Sequence, residues 1–108
     1  MKLKNVLQAV CIAAWLPAAA TAGDVAKGKE LSATCAACHG ADGNSTIPAN
    51  PKLAGQYESY LIRALSDYRS GARNNAIMAG FATALSDQDI RDLAAYFASQ
   101  KSELTIAD

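Results

Sequence analysis

At 108 residues, with 51% of them apolar, the chain suffices for one domain with a modest core, a size at which small proteins usually need a staple. Ten basic and ten acidic side chains balance to zero, and no basic stripe runs through the sequence. A nucleic-acid binder and a protein held by charge on a membrane surface are thereby excluded.

The first 22 residues read as a cleaved secretory signal. Lys2 and Lys4 give a positive start, Val6 to Leu16 an apolar run, Pro17 a break, and Ala20-Thr21-Ala22 a small-residue cleavage site before Gly23. The apolar run is far shorter than the roughly 20 residues of a membrane-spanning helix. Cys11 leaves with this segment, so two cysteines remain in an exported domain, residues 23–108, expected in the periplasm. Loss of Lys2 and Lys4 leaves eight basic against ten acidic side chains, a net charge of about minus two.

From Asp24, the expected N-cap, a helix with Val25 and Leu31 on its apolar side is predicted to run up to the next motif. Gly28 inside it marks the close approach of another helix, expected to be the last one. The motif is Cys35-Ala36-Ala37-Cys38-His39, a C-x-x-C-H run. Two residues between the thiols let both reach the vinyl groups of one porphyrin, with the next histidine turned to the iron, so the run signals one covalently attached haem c held by two thioethers. A zinc site does not close, because one histidine and two cysteines are three ligands where four are needed. A thioredoxin-type pair lacks its βαβ setting, and a plain disulfide leaves His39 unexplained.

Gly40 to Leu53, dense in turn formers and carrying Pro48 and Pro51, is predicted as a loop. A carbonyl near Pro51 is nominated to accept the second ring N–H of His39 and fix its tautomer. Tyr57 to Ser70 is the next helix, stopped by Gly71, with Tyr57, Tyr60, Leu61, Ala64, Leu65 and Tyr68 on its apolar side and Arg63, Asp67 and Arg69 outward. Arg73, like Arg69, faces either solvent or a haem propionate. Gly71 to Phe81 reads as a loop with a short helical turn. It contains Met78, the one methionine besides Met1. With no second histidine available, Met78 is the leading candidate for sixth ligand. Ser86-Asp87-Gln88-Asp89 is a capping box opening the last helix, which turns Leu93, Ala94, Tyr96 and Phe97 inward and ends near Ser99 to Lys101. The tail to Asp108 is expected to fray.

These stretches together resemble a class I monohaem soluble cytochrome c of the small bacterial type, and the half-domains of bacterial dihaem cytochromes. The likeness runs from Gly23-Asp24-Val25-Ala26-Lys27-Gly28-Lys29 through the haem motif, Pro51-Lys52-Leu53-Ala54-Gly55-Gln56, Tyr68-Arg69-Ser70-Gly71-Ala72-Arg73 and Met78 to Leu85-Ser86-Asp87-Gln88-Asp89-Ile90 and Ala95-Tyr96. It implies an all-α cytochrome c fold, with three main helices and short turns round one haem and the first and last helices crossing. Cys35 and Cys38 are then the thioether positions, His39 and Met78 the iron ligands, the Pro51 carbonyl the partner of His39, and Leu53 a packing contact on the ring. Gly28 and Tyr96 mark the helix crossing, where Ser32 is more polar than expected.

A coordination sphere closed by His39 and Met78 leaves no place for a substrate on the iron. The expected function is therefore electron transfer at positive potential and not enzymatic catalysis. The expected partners are redox proteins met transiently through a small interface by a monomer with no membrane span. Two alternatives stay open: a cytochrome subunit of a larger dehydrogenase, and a gas-binding or peroxidatic haem with a labile distal bond.

Overall fold

The computed structural model describes residues 22–104, and the signal expected over the first 22 residues lies almost wholly outside them. Those residues form five α-helices and no strand: α1 Val25–Leu31, α2 Ala36–His39, α3 Glu58–Ser70, α4 Ala76–Ala82 and α5 Asp87–Ser99. None of them is long and apolar enough to cross a membrane.

Helix α1 starts where the cap signal places it, since the Asp24 carboxylate accepts the N–H groups of Ala26 and Lys27 at 2.9 and 3.2 Å. It does not run on to the cysteines as expected. A 3₁₀ turn, Ser32–Thr34, interrupts it, and only then does the short α2 begin. Ser32 is buried there because its hydroxyl donates to the Lys29 carbonyl (2.7 Å), a local bond that competes with helix continuation and satisfies the polar group in place. Val25 is a second departure: on the first turn of α1 it lies in solvent, 46% exposed, because the face of α1 that meets α5 is centred on Gly28.

There the two helices touch backbone to backbone, and a Cβ on Gly28 would fall 2.0 Å from the Asp92 carbonyl oxygen and 2.7 Å from Tyr96 Cβ. The crossing expected from the sequence is thus present. A buried carboxylate fastens it: Asp92 Oδ1 accepts the Asp24 N–H and a Gln88 amide N–H, both at 2.8 Å. Helix α5 opens on the expected capping box, in which Ser86 Oγ accepts the Asp89 N–H and the Asp89 carboxylate accepts the Ser86 N–H. Its Leu93, Ala94, Tyr96 and Phe97 join Leu61 of α3 in the core, with Leu31, Cys35, Leu53 and Leu65 packed on the outside of that cluster.

Helix α3 stops at Gly71, which takes the left-handed conformation (φ 85°). Its expected apolar side divides in two. Leu61 is buried, whereas Tyr60 is half exposed and Tyr57, the residue before the helix, is 81% exposed. Tyr60 faces a cleft and not the core, and Tyr57 sits off the helix where no neighbour covers it. The segment after Gly71 contains more helix than its composition suggested. Asn75 caps α4 through its side-chain oxygen, which accepts the N–H groups of Ile77 and Met78. The tail beyond α5 is not frayed over residues 101–104. The Asn44 side chain donates to the Lys101 carbonyl and accepts the Glu103 N–H, both at 2.8 Å, and pins it to the loop after the C-x-x-C-H run.

Candidate haem site

One cleft lies between α2, the loop that follows it, α3 and α4. Its walls include Cys35, Cys38, His39, Pro51, Leu53 and Met78, so all six residues singled out in the sequence meet at one cavity. The remaining wall is mostly apolar, from Leu61, Ala64, Leu65, Ile77, Phe81, Ala94 and Phe97. Ile77 and Phe81 are 69% and 48% exposed because they face this cleft and its mouth.

Helix α2 presents the two thiols and the imidazole within a single turn, since its four residues and the preceding Cys35 span one helical repeat. Cys35 is half-buried and Cys38 exposed. Burial pushes the Cys35 thiol above its ordinary range, opposed by a contact with the Thr34 hydroxyl and reinforced by Cys38. Neither cysteine is in a disulfide, which agrees with the reading of both as attachment points.

His39 is buried and held from behind. Its Nδ1 lies 2.8 Å from the carbonyl oxygen of Pro51. A carbonyl only accepts, so Nδ1 carries the proton and donates it, leaving the lone pair on Nε2 for a metal. The loop from Gly40 to Ala54 is shaped to deliver that carbonyl. The Gly43 carbonyl accepts the N–H groups of Leu53 and Ala54, Asn50 N–H donates to Ile47, and the Lys52 ammonium donates to the Ser45 carbonyl at 2.7 Å. Ser45 is buried, with its hydroxyl reaching the carbonyls of Cys38 and Ile47. Tyr96 of α5 ties the same loop down by donating its O–H to the Ala41 carbonyl (2.8 Å).

On the far wall Met78 sits in the first turn of α4. The segment that carries it is clamped at its base by Arg69, whose guanidinium donates to the Leu85 carbonyl (3.0 Å) and to the Asp87 carboxylate. Arg69 was read as facing outward, and its pairing links the end of α3 to the start of α5. The Asp87 carboxyl is held below its ordinary range by that guanidinium. Sequence reasoning missed Arg69, Asn44 and Asp92 as organisers. Only the Asn-Ser turn chemistry after the motif hinted at the first loop anchor, and the partners of the other two lie 16 or more residues away.

These residues fit haem c. Two thiols adjoin an imidazole whose Nδ1 is already committed, a thioether shares the same cavity, and the walls are apolar. Among the described residues no three His, Cys, Asp or Glu side chains gather into a metal cage, so iron at this place depends on a macrocycle for its remaining ligands.

Comparison with known proteins agrees. The sequence matches the family described as Cytochrome c over residues 25–101. It is 55% identical over 87 residues to a cytochrome c4 of Pseudomonas aeruginosa, covering 81% of this chain and 43% of that one. It is 47% identical to cytochrome c-554(548) of Halomonas halodenitrificans, covering 74% of this chain and 100% of the relative. The crystal structure of reduced recombinant cytochrome c4 from Pseudomonas stutzeri superposes with a TM-score of 0.75 at 47% identity, over 81% of this chain and 50% of that one. The chain thus spans about half the length of the cytochromes c4 it matches. Its fold, its C-x-x-C-H arrangement and these likenesses lead to one conclusion: the chain belongs to the cytochrome c family.

Proposed function

We propose that this chain carries single electrons through one haem c, bound by thioethers to Cys35 and Cys38 and ligated by His39 and Met78. The observation that carries the reading is the bond from His39 Nδ1 to the Pro51 carbonyl, on a cavity that Met78 shares. Haem c supplies a one-electron iron couple.

Each residue then has a definable task. Cys35 and Cys38 anchor one edge of the macrocycle. The Pro51 carbonyl keeps the His39 ring in one tautomer and orientation in both oxidation states, and makes it a stronger donor. Met78, a weaker donor than a second imidazole, favours the reduced state, and the apolar wall of Leu53, Leu61, Leu65 and Phe97 disfavours the extra charge of the oxidised one. Because both axial groups come from folded elements with their own hydrogen bonds, little has to move when an electron arrives.

Export to the periplasm belongs to this reading, through the signal-like features of the first 22 residues, as does transient docking of redox partners at the cleft mouth around Ile77 and Phe81. Relatives named thiosulfate dehydrogenase electron acceptor in Thiomonas intermedia and cytochrome subunit of sulfide dehydrogenase in Chlorobaculum tepidum support one class of donor, an oxidoreductase acting on a reduced sulfur compound.

The reading is tested by isolating the protein from the periplasm of an expressing bacterium. Haem that survives denaturing electrophoresis and a redox titration fitting one electron are expected. Haem that extracts freely, or its absence, would overturn the attachment.

A further inference from the structure

The cavity wall holds one cation that the tasks above leave unused. No aspartate or glutamate lines the cleft, and besides His39 its cationic residues are Lys52 and Arg73. The Lys52 ammonium is taken by the Ser45 carbonyl at 2.7 Å. Arg73 is held differently. Its guanidinium lies 4.8 Å from the centroid of the Tyr68 ring, and one N–H donates to the Tyr60 hydroxyl at 3.2 Å. Arg73 has no carboxylate partner among the described residues, whose ion pairs are Lys27–Glu30, Arg63–Asp67 and Arg69–Asp87. The planar fork is therefore pre-oriented by two aromatic side chains that also line the cleft, with most of its five donors still unspent.

A macrocycle fixed through its two vinyl groups at Cys35 and Cys38 carries two propionate carboxylates at the edge away from those thioethers. Two carboxylates against an otherwise apolar wall need a fixed positive partner, and a guanidinium meets a carboxylate with two parallel hydrogen bonds. Tyr60, having accepted from Arg73, keeps its own O–H to donate to the same anion. We propose that Arg73, oriented by Tyr68 and Tyr60, binds one propionate of the haem, and that this pair holds the potential up. The inference rests on the haem c reading above.

The physical consequence has a definite sign. An unpaired carboxylate near the iron stabilises the oxidised state, and it takes up a proton at higher pH than one paired with a guanidinium. Once the thiols are consumed, His39, Lys52, Tyr60, Tyr68 and Arg73 are the ionisable side chains facing the cleft, and none is a carboxylate that could mimic the effect.

The experiment is a redox titration across pH on the haem-loaded wild type and on R73Q, R73K and Y60F. R73Q is expected to lower the midpoint potential at neutral pH and to move the pH-dependent branch of the potential to higher pH, while the sulfur-to-iron band of methionine ligation stays. R73K, which keeps the charge without the fork, is expected to fall between R73Q and wild type, and Y60F to shift in the R73Q direction by less. An Arg73 that serves packing alone would lower the unfolding temperature and leave the potential and its pH profile as in wild type. That outcome, in R73Q and Y60F together, would overturn the proposal. Wild-type protein without covalent haem would instead overturn the reading beneath it.

Discussion

The carbonyl oxygen of Asp92 lies 2.0 Å from where a Cβ on Gly28 would be placed. Because the obstacle is backbone and not a flexible side chain, α1 and α5 must separate to admit even one methyl group. Gly28→Ala gains up to about 1 kcal/mol of helix propensity and loses about 1–3 kcal/mol to overpacking, so a net loss of stability is expected. In a domain of this size each kcal/mol lowers the unfolding temperature by roughly 4–8 °C. Thermal unfolding followed by circular dichroism checks this, and an unchanged or raised midpoint would show that the helices do not pack as described.

Asn44 joins the loop after His39 to the chain end through the Lys101 carbonyl and the Glu103 N–H, and also donates to Asp42. Asn44→Ala leaves a buried carbonyl without its donor. A loss of about 1–3 kcal/mol is expected, together with faster proteolysis after α5. Limited proteolysis with mass analysis of the fragments reads this, and equal cleavage rates in variant and wild type would count against the pinning.

The Arg69–Asp87 pair makes part of the stability acid-sensitive. Asp87 has a folded-state pKa below its unfolded value, so its contribution is complete above the unfolded pKa of roughly 4 and is lost as pH falls through the folded one. Asp87→Asn is expected to flatten the fall in stability below about pH 4 relative to wild type. Acid titrations by circular dichroism compare the two, and superimposable curves would remove Asp87 from the list of acid-sensitive groups.

Much of this was legible in the sequence because the signals were local. The C-x-x-C-H run, the caps at Asp24 and Ser86 and the stop at Gly71 each act within four residues, and each stands where expected. The Gly28 crossing was legible because glycine is costly in a helix unless another backbone needs the room. The features that escaped are those set by distant partners. Asn44 finds its partners more than 50 residues away, and Asp92 receives Asp24 across the crossing. Tyr60 illustrates the other limit. Helical spacing placed it correctly on the apolar face, but periodicity does not distinguish a face turned to the core from one turned to a cofactor cleft.

Met78→Ala is expected to abolish the sulfur-to-iron charge-transfer band of the oxidised protein and to lower the midpoint potential markedly, because the soft thioether that favours reduced iron is gone. Visible spectroscopy with a redox titration measures both. A variant with a low-spin spectrum and an unchanged potential would assign the distal position to another group.

Carbon monoxide binding to the reduced wild-type protein at neutral pH tests the central claim most directly, since it asks whether His39 and Met78 close both axial positions. The expected result is no change in the reduced spectrum under carbon monoxide. A complete shift to a carbon monoxide-bound spectrum would contradict the closed site, and would assign the haem to ligand binding or peroxide chemistry in place of electron transfer.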